Sequence, residues 1–174
     1  LWINLITAAT LGIALAFEPT EANTMLRAPR SKKEKLLSGE LVWHIVFVSL
    51  LFLIWVYGVY QFSMSRSHSI ELSRTMAVNT LVVMEIFHLF FIRNMYGTSL
   101  TWKAVRGTKV IWLVVVIITG AQFAITYVPM MQTIFDTKPI LFWDGVFIIG
   151  MGAVFFVLIE IEKQFRLAFR KRKT

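Results

Sequence analysis

The sequence contains no cysteine in 174 residues. Disulfide frameworks, zinc–thiolate centres and cysteine nucleophiles are therefore excluded. Charge is scarce too: Asp, Glu, Lys and Arg make up 16% of the chain, where a soluble domain carries about 25%. Acidic residues are the scarcest, 10 against 18 Lys and Arg, for a formal net charge of +8. No Gly-x-x-x-x-Gly-Lys phosphate loop, Gly-x-Ser-x-Gly elbow or His-Glu-x-x-His helix is encoded, so these soluble catalytic centres are ruled out. Neither an internal repeat nor a low-complexity tract is present. The start, Leu1-Trp2-Ile3, has no initiator Met and no basic n-region, unlike a signal peptide. It falls inside an apolar run, and we expect the chain to be cut from a longer polypeptide.

What the sequence does have is apolar length. Hydrophobic residues make up 57% of it, and they come in runs of the size that lipid selects. Five runs stand out: 1–17, 41–62, 75–92, 110–128 and 140–161. The expected fold is all-α, an integral membrane helical bundle of about five transmembrane helices. The first run stops at Glu18-Pro19, because proline disfavours helix at the residue before it. At about 1.5 Å per residue it falls slightly short of a bilayer core of roughly 30 Å.

The basic residues locate the faces. They gather at Arg27–Lys35, at Arg93 and Lys103–Lys109, and at Lys163–Lys173, each beside an apolar run. That is the positive-inside pattern. It differs from a nucleic-acid face, and no nucleic-acid-binding motif interleaves with it. It places the C-terminus in the cytosol and the start of the chain outside. Trp43, Tyr57, Tyr60, Trp102, Trp112, Tyr127 and Trp143 lie near run ends, where amphipathic rings prefer the interface.

Polar groups inside the runs are the sites to weigh, since lipid makes them costly. Asn4 and Thr7 share one helical face. Their oxygens are hard ligands suited to a cation, and they equally suit hydrogen bonds between helices. Ala8, Gly12 and Ala16 form a small-residue stripe that predicts close helix packing. Glu85 lies deep in the third run, where a carboxylate must be protonated, paired or bound to a cation. Asn79 and Thr80 could line a polar path or join helices. Glu85 with His88 has the spacing of a di-iron pair, and Glu40 with His44 could add a second. A di-iron site would need a second Glu-x-x-His pair and further carboxylates. Asp144, Glu160, Glu162 and Lys163, near the ends of the last run, are expected to be solvated anchors.

Two stretches, Leu1-Trp2-Ile3-Asn4-Leu5-Ile6-Thr7 through Phe17-Glu18-Pro19 and Met25-Leu26-Arg27-Ala28-Pro29-Arg30, carry a resemblance. They resemble the sixth membrane helix, and the loop after it, of P-type ATPases in the branch of calcium and sodium pumps and their bacterial relatives. Arg74-Thr75-Met76-Ala77-Val78-Asn79-Thr80 through Glu85-Ile86-Phe87 looks like that family's eighth helix. Val157-Leu158-Ile159-Glu160-Ile161-Glu162-Lys163 looks like its tenth. The likeness implies that residues 1–174 form one C-terminal transmembrane domain, helices six to ten of a cation pump.

The resemblance further implies aspartyl-phosphate chemistry driven by ATP and Mg, bound in domains this sequence lacks. The implied partners are the lipid bilayer, the N-terminal part of the same pump and the transported cation. The implied location is a bacterial inner membrane. Asn4, Thr7 and Glu85 fall at cation-ligand positions of calcium pumps, and so become the expected binding residues for the transported metal ion. Ala8 stands where those pumps carry an Asp, which favours a single divalent ion, a monovalent ion or a proton over two calcium ions. The alternative from another class is a stand-alone membrane scaffold or binding bundle.

Overall fold

The structure is a computed structural model, and it describes residues 2–3, 9–17, 39–93 and 108–171. Six helices occur among these residues: α1 (Ala9–Ala16), α2 (Gly39–Ser65), α3 (Ile70–Ile92), α4 (Lys109–Tyr127), α5 (Pro129–Phe135) and α6 (Phe142–Lys171). No strand occurs among the described residues. In hydrocarbon every backbone N–H and C=O must find its partner inside the segment, and a helix achieves this. Four of the helices, α2, α3, α4 and α6, are long and apolar enough to cross a membrane. Of the first expected span, the described residues include the 8-residue α1.

The helices outrun the apolar stretches. The connection expected over Ser63–Arg74 shrinks to Arg66–Ser69, because α2 continues to Ser65 and α3 begins at Ile70. Polar residues suit these turns because they satisfy backbone ends. Ser65 donates to the Phe62 carbonyl at 2.7 Å. Ser69 caps α3 by accepting from the Leu72 N–H at 3.3 Å, and Ser67 takes the left-handed conformation that reverses the chain (φ 59°). Thr108 caps α4 in the same way. The connection expected over Met130–Pro139 contains a helix, α5, with Pro129 in its first turn. That is where the ring's missing N–H costs nothing. The last helix runs 30 residues, about 45 Å, and so extends well beyond a bilayer core.

The bundle is organised around α3, which packs against α2 on one side, α6 on another and α4 on a third. One apolar cluster joins Ala14 of α1, Val82 and Leu89 of α3, and Ile111, Val114 and Ile118 of α4. A second joins Val48 of α2, Met84 and Phe91 of α3, and Phe155 and Ile159 of α6. Phe52 meets Phe155 edge-on at 5.0 Å, and Phe62 stacks on Phe147 at 4.9 Å. Leu50, Leu53, Leu113, Val116, Ile149 and many others face outward, as expected of surfaces bathed in lipid.

Close helix approach is found at a different glycine from the one expected. A Cβ on Gly12 would meet nothing within 4 Å, whereas one on Gly152 of α6 would lie 2.5 Å from Val83 Cγ1 and 2.9 Å from the Phe87 ring. The stripe in α1 therefore does not mark a tight contact with any described residue at Gly12. The tight contact is α6 on α3, at a glycine whose sequence surroundings carry no signal of it.

Candidate functional site: polar groups inside the helical bundle

Glu85 lies seven residues from the C-terminal end of α3, roughly 10 Å along the axis. Its side chain is half-buried, and its Oε2 is shielded from solvent. Val82, three residues before, and Leu89, four after, belong to the cluster shared with α1 and α4. At those spacings Glu85 sits at the edge of the face that carries them. Asn4 and Thr7 lie outside the described residues.

His88 leans the other way. Its ring lies 6.1 Å from that of His44 on α2, 5.8 Å from Phe91 and 5.9 Å from Phe52. Glu40's side chain lies outside the described part. Among the described residues no three His, Asp or Glu side chains converge as metal ligands. Among the described residues the geometry gives the di-iron pattern no support.

Asn79 joins helices. Its amide donates to Thr126 Oγ1 of α4 at 3.1 Å, and Thr126 in turn donates to the Gln122 carbonyl at 2.8 Å. Thr80 donates to the Met76 carbonyl one turn back, at 2.8 Å, so its hydroxyl is used within α3. Gln122 was not singled out by the sequence, although it is the one amide inside the run 110–128. It is buried at 6% exposure, and its Oε1 accepts from the Trp2 indole at 3.3 Å.

The charges near the ends of α6 differ from the solvated anchors expected of them. Asp144 is 3% exposed and faces Arg66 at 3.4 Å. At the other end Glu160 and Lys163 are 1% and 0% exposed, paired at 2.7 Å, with the ammonium 4.6 Å from the centre of the Phe91 ring. Gln164 donates to the second Glu160 oxygen at 2.8 Å. Glu162 accepts from the Trp43 indole at 3.1 Å, pairs with Arg166 at 3.3 Å and lies 3.8 Å from His44. A charge this deep persists only when compensated: Lys163 and Gln164 of α6 itself answer Glu160, Arg166 of α6 and Trp43 of α2 answer Glu162, and Arg66 of the α2–α3 turn answers Asp144. The i,i+3 spacing of Glu160 and Lys163 was legible. Their burial was not, because it depends on α2 and α3 closing over them.

A bundle of lipid-facing helices, with a carboxylate inside the central one, matches a known sequence pattern. The family model described as "Cation transporting ATPase, C-terminus" matches residues 1–165. The chain belongs to this family. Among its relatives is the probable cation-transporting ATPase F of Mycobacterium tuberculosis, 40% identical over 141 residues, which are 80% of this chain and 15% of that protein. The calcium-transporting ATPase of Bacillus subtilis is 30% identical over 165 residues, 88% of this chain and 17% of the relative. Human calcium-transporting ATPase type 2C member 2 is 24% identical over 164 residues, 94% of this chain and 17% of its own length. The chain thus spans about a sixth of these family members, and it is their C-terminal membrane part that it resembles.

Proposed function

We propose that this chain is the ion-pathway portion of an ATP-driven cation pump, with Asn4, Thr7 and Glu85 as ligands of the transported metal ion. The observation that carries the reading is Glu85: a carboxylate inside a 23-residue apolar helix, beside the apolar cluster that α3 shares with α1 and α4, in a member of the cation-transporting ATPase family. Asn4 and Thr7 precede α1 in sequence and supply neutral oxygens, while Glu85 supplies charge. Ala8 removes one further carboxylate, so the set suits one divalent or monovalent cation, calcium being compatible. ATP and Mg bind outside this chain, in the N-terminal part of the same pump, and alternating access is driven from there. The membrane is a bacterial inner membrane, with Lys163–Lys173 on the cytosolic side.

The test has two stages. An antibody to the tail Phe165–Thr174 measures the native polypeptide in membranes. A band several-fold above 20.1 kDa is expected, and a band at that size would favour a membrane scaffold instead. The larger protein, in sealed vesicles, is then assayed for ATP hydrolysis stimulated by Ca²⁺, Mn²⁺, Na⁺ or K⁺. Hydrolysis indifferent to every cation would overturn the reading.

A further inference from the structure

The connection between α4 and α6 carries two unlike sets of exposed side chains. The first is apolar. Met130 and Ile134, four residues apart, share one face of α5, and Leu141, Phe142 and Trp143 follow where the chain enters α6. Each of these is between 62% and 77% exposed. They continue the outward apolar residues of the flanking spans, Phe123 of α4 and Val146 and Ile149 of α6. The second set is charged. Lys138 pairs with Glu71 at 3.2 Å and Asp136 with Arg74 at 3.6 Å, with at least a third of each side chain exposed. Both pairs tie the connection to the start of α3.

The break between α4 and α5 is closed by side chains rather than left to water. Pro129 has no N–H, so the Ile125 carbonyl, four residues back, loses its helical donor. Thr137 donates to that carbonyl at 2.6 Å. The Thr126 carbonyl accepts from the Gln132 amide at 2.7 Å, and the Ile140 carbonyl accepts from the Tyr127 hydroxyl at 3.1 Å. Ile125, Thr126 and Ile140 are all buried. Asp136, in the left-handed conformation (φ 52°), turns the chain back from α5. A loop in water can leave such acceptors to the solvent. A chain that bends at the edge of a bilayer has to satisfy them internally.

We propose that α5 and residues 141–143 form a boundary anchor. α5 lies along the bilayer surface at the end of the bundle that holds the α2–α3 turn. Met130, Ile134, Leu141, Phe142 and Trp143 are seated among phospholipid chains, and Asp136 and Lys138 among headgroups and water. Phospholipid is the occupant because the flanking spans set the depth. Tyr127 ends α4 and Phe142 begins α6, and the bonds from Gln132 and Thr137 hold α5, about 10 Å long, against the end of α4. An interfacial helix sinks its apolar face about 5–10 Å into the border between headgroups and chains, the level that Trp and Tyr rings prefer. The anchor fixes the height at which α4 and α6 enter the membrane. It requires only the membrane-spanning bundle, whatever the bundle transports.

The experiment places single nitroxide labels, on introduced cysteines, in the full-length protein, with any cysteine outside this chain first replaced by serine. The protein is reconstituted in vesicles of phosphatidylcholine and phosphatidylglycerol. Power saturation compares collisions of each label with oxygen, which concentrates in lipid, and with a nickel chelate, which stays in water. Val116→Cys, on the lipid-facing side of α4, and Ser67→Cys, in the α2–α3 turn, supply the two reference limits. Oxygen is expected to exceed the chelate at Met130→Cys, Ile134→Cys and Phe142→Cys, and the order to reverse at Asp136→Cys and Lys138→Cys. An excess of chelate at Met130→Cys and Ile134→Cys would overturn the proposal and mark an aqueous loop. Labels there that are shielded from both reagents would also overturn it, since another part of the polypeptide or a second copy would then cover this face. Where the label at Ile134→Cys prevents folding, Met130→Cys on the same face decides between these outcomes.

Discussion

The Lys163 ammonium lies 2.7 Å from the Glu160 carboxylate, and both side chains are sealed from solvent. Removing one partner leaves a buried charge without compensation, whereas replacing both by apolar groups does not. Lys163→Met is expected to lower stability by about 3–5 kcal/mol, and the double variant Lys163→Met, Glu160→Leu to recover most of the loss. Thermal unfolding of the detergent-solubilised protein, followed by circular dichroism, checks this. A double variant as damaged as the single would show that the pair contributes more than mutual neutralisation.

Gly152 makes a second, sharper test of packing. An added methyl would meet Val83 Cγ1 at 2.5 Å, and overpacking of this kind costs about 1–3 kcal/mol. Gly152→Ala should destabilise the bundle, and Val83→Ala in the same chain should restore part of the loss, the Phe87 ring at 2.9 Å still crowding the methyl. Gly12→Ala, where no described residue would lie within 4 Å of the new Cβ, should not lower the unfolding temperature. The three variants are compared in one detergent by thermal melts.

The absence of cysteine makes topology directly measurable. Single cysteines at Ser67, in the α2–α3 turn, and at Thr174 are the only thiols in their variants. With the basic clusters in the cytosol, a membrane-impermeant maleimide added to intact cells, with the outer membrane opened, should label Ser67→Cys. It should label Thr174→Cys only after the inner membrane is permeabilised. The reverse pattern would invert the proposed orientation.

Glu85 is tested by charge removal at constant shape. In the full-length protein Glu85→Gln is expected to raise the half-activating cation concentration at least tenfold, since a hydrogen bond or contact to an ion loses its charge assistance. Cation-dependent ATP hydrolysis reads the change. An unaltered activation curve would remove Glu85 from the site and leave it a structural group of α3.

At the far end, Arg66→Met should destabilise more than Asp144→Asn. The first strands a carboxylate that is 3% exposed, and the second leaves a half-exposed guanidinium free to turn to water. Urea or thermal unfolding of the two variants gives the order.

The helical class and the positions of four long helices were legible in the sequence. Both follow from a one-dimensional quantity, the length of an apolar run set against membrane thickness. Glu85 was legible as well, because an acid within such a run is conspicuous wherever the neighbouring helices lie. Helix ends were read short, since Ser63–Ser65 and Ile70–Arg74 are polar by composition yet complete their hydrogen bonds inside helices. What only the tertiary structure decided is which polar residue meets which. Glu160 and Lys163 became a buried pair because α2 and α3 cover that face of α6. Gly152 became the tight contact because Val83 and Phe87 happen to face it. Gln122 acquired a partner 120 residues away in Trp2. Burial, close approach and long-range pairing depend on the rotation and register of whole helices against one another, and those are set by the sum of many weak contacts rather than by any local pattern.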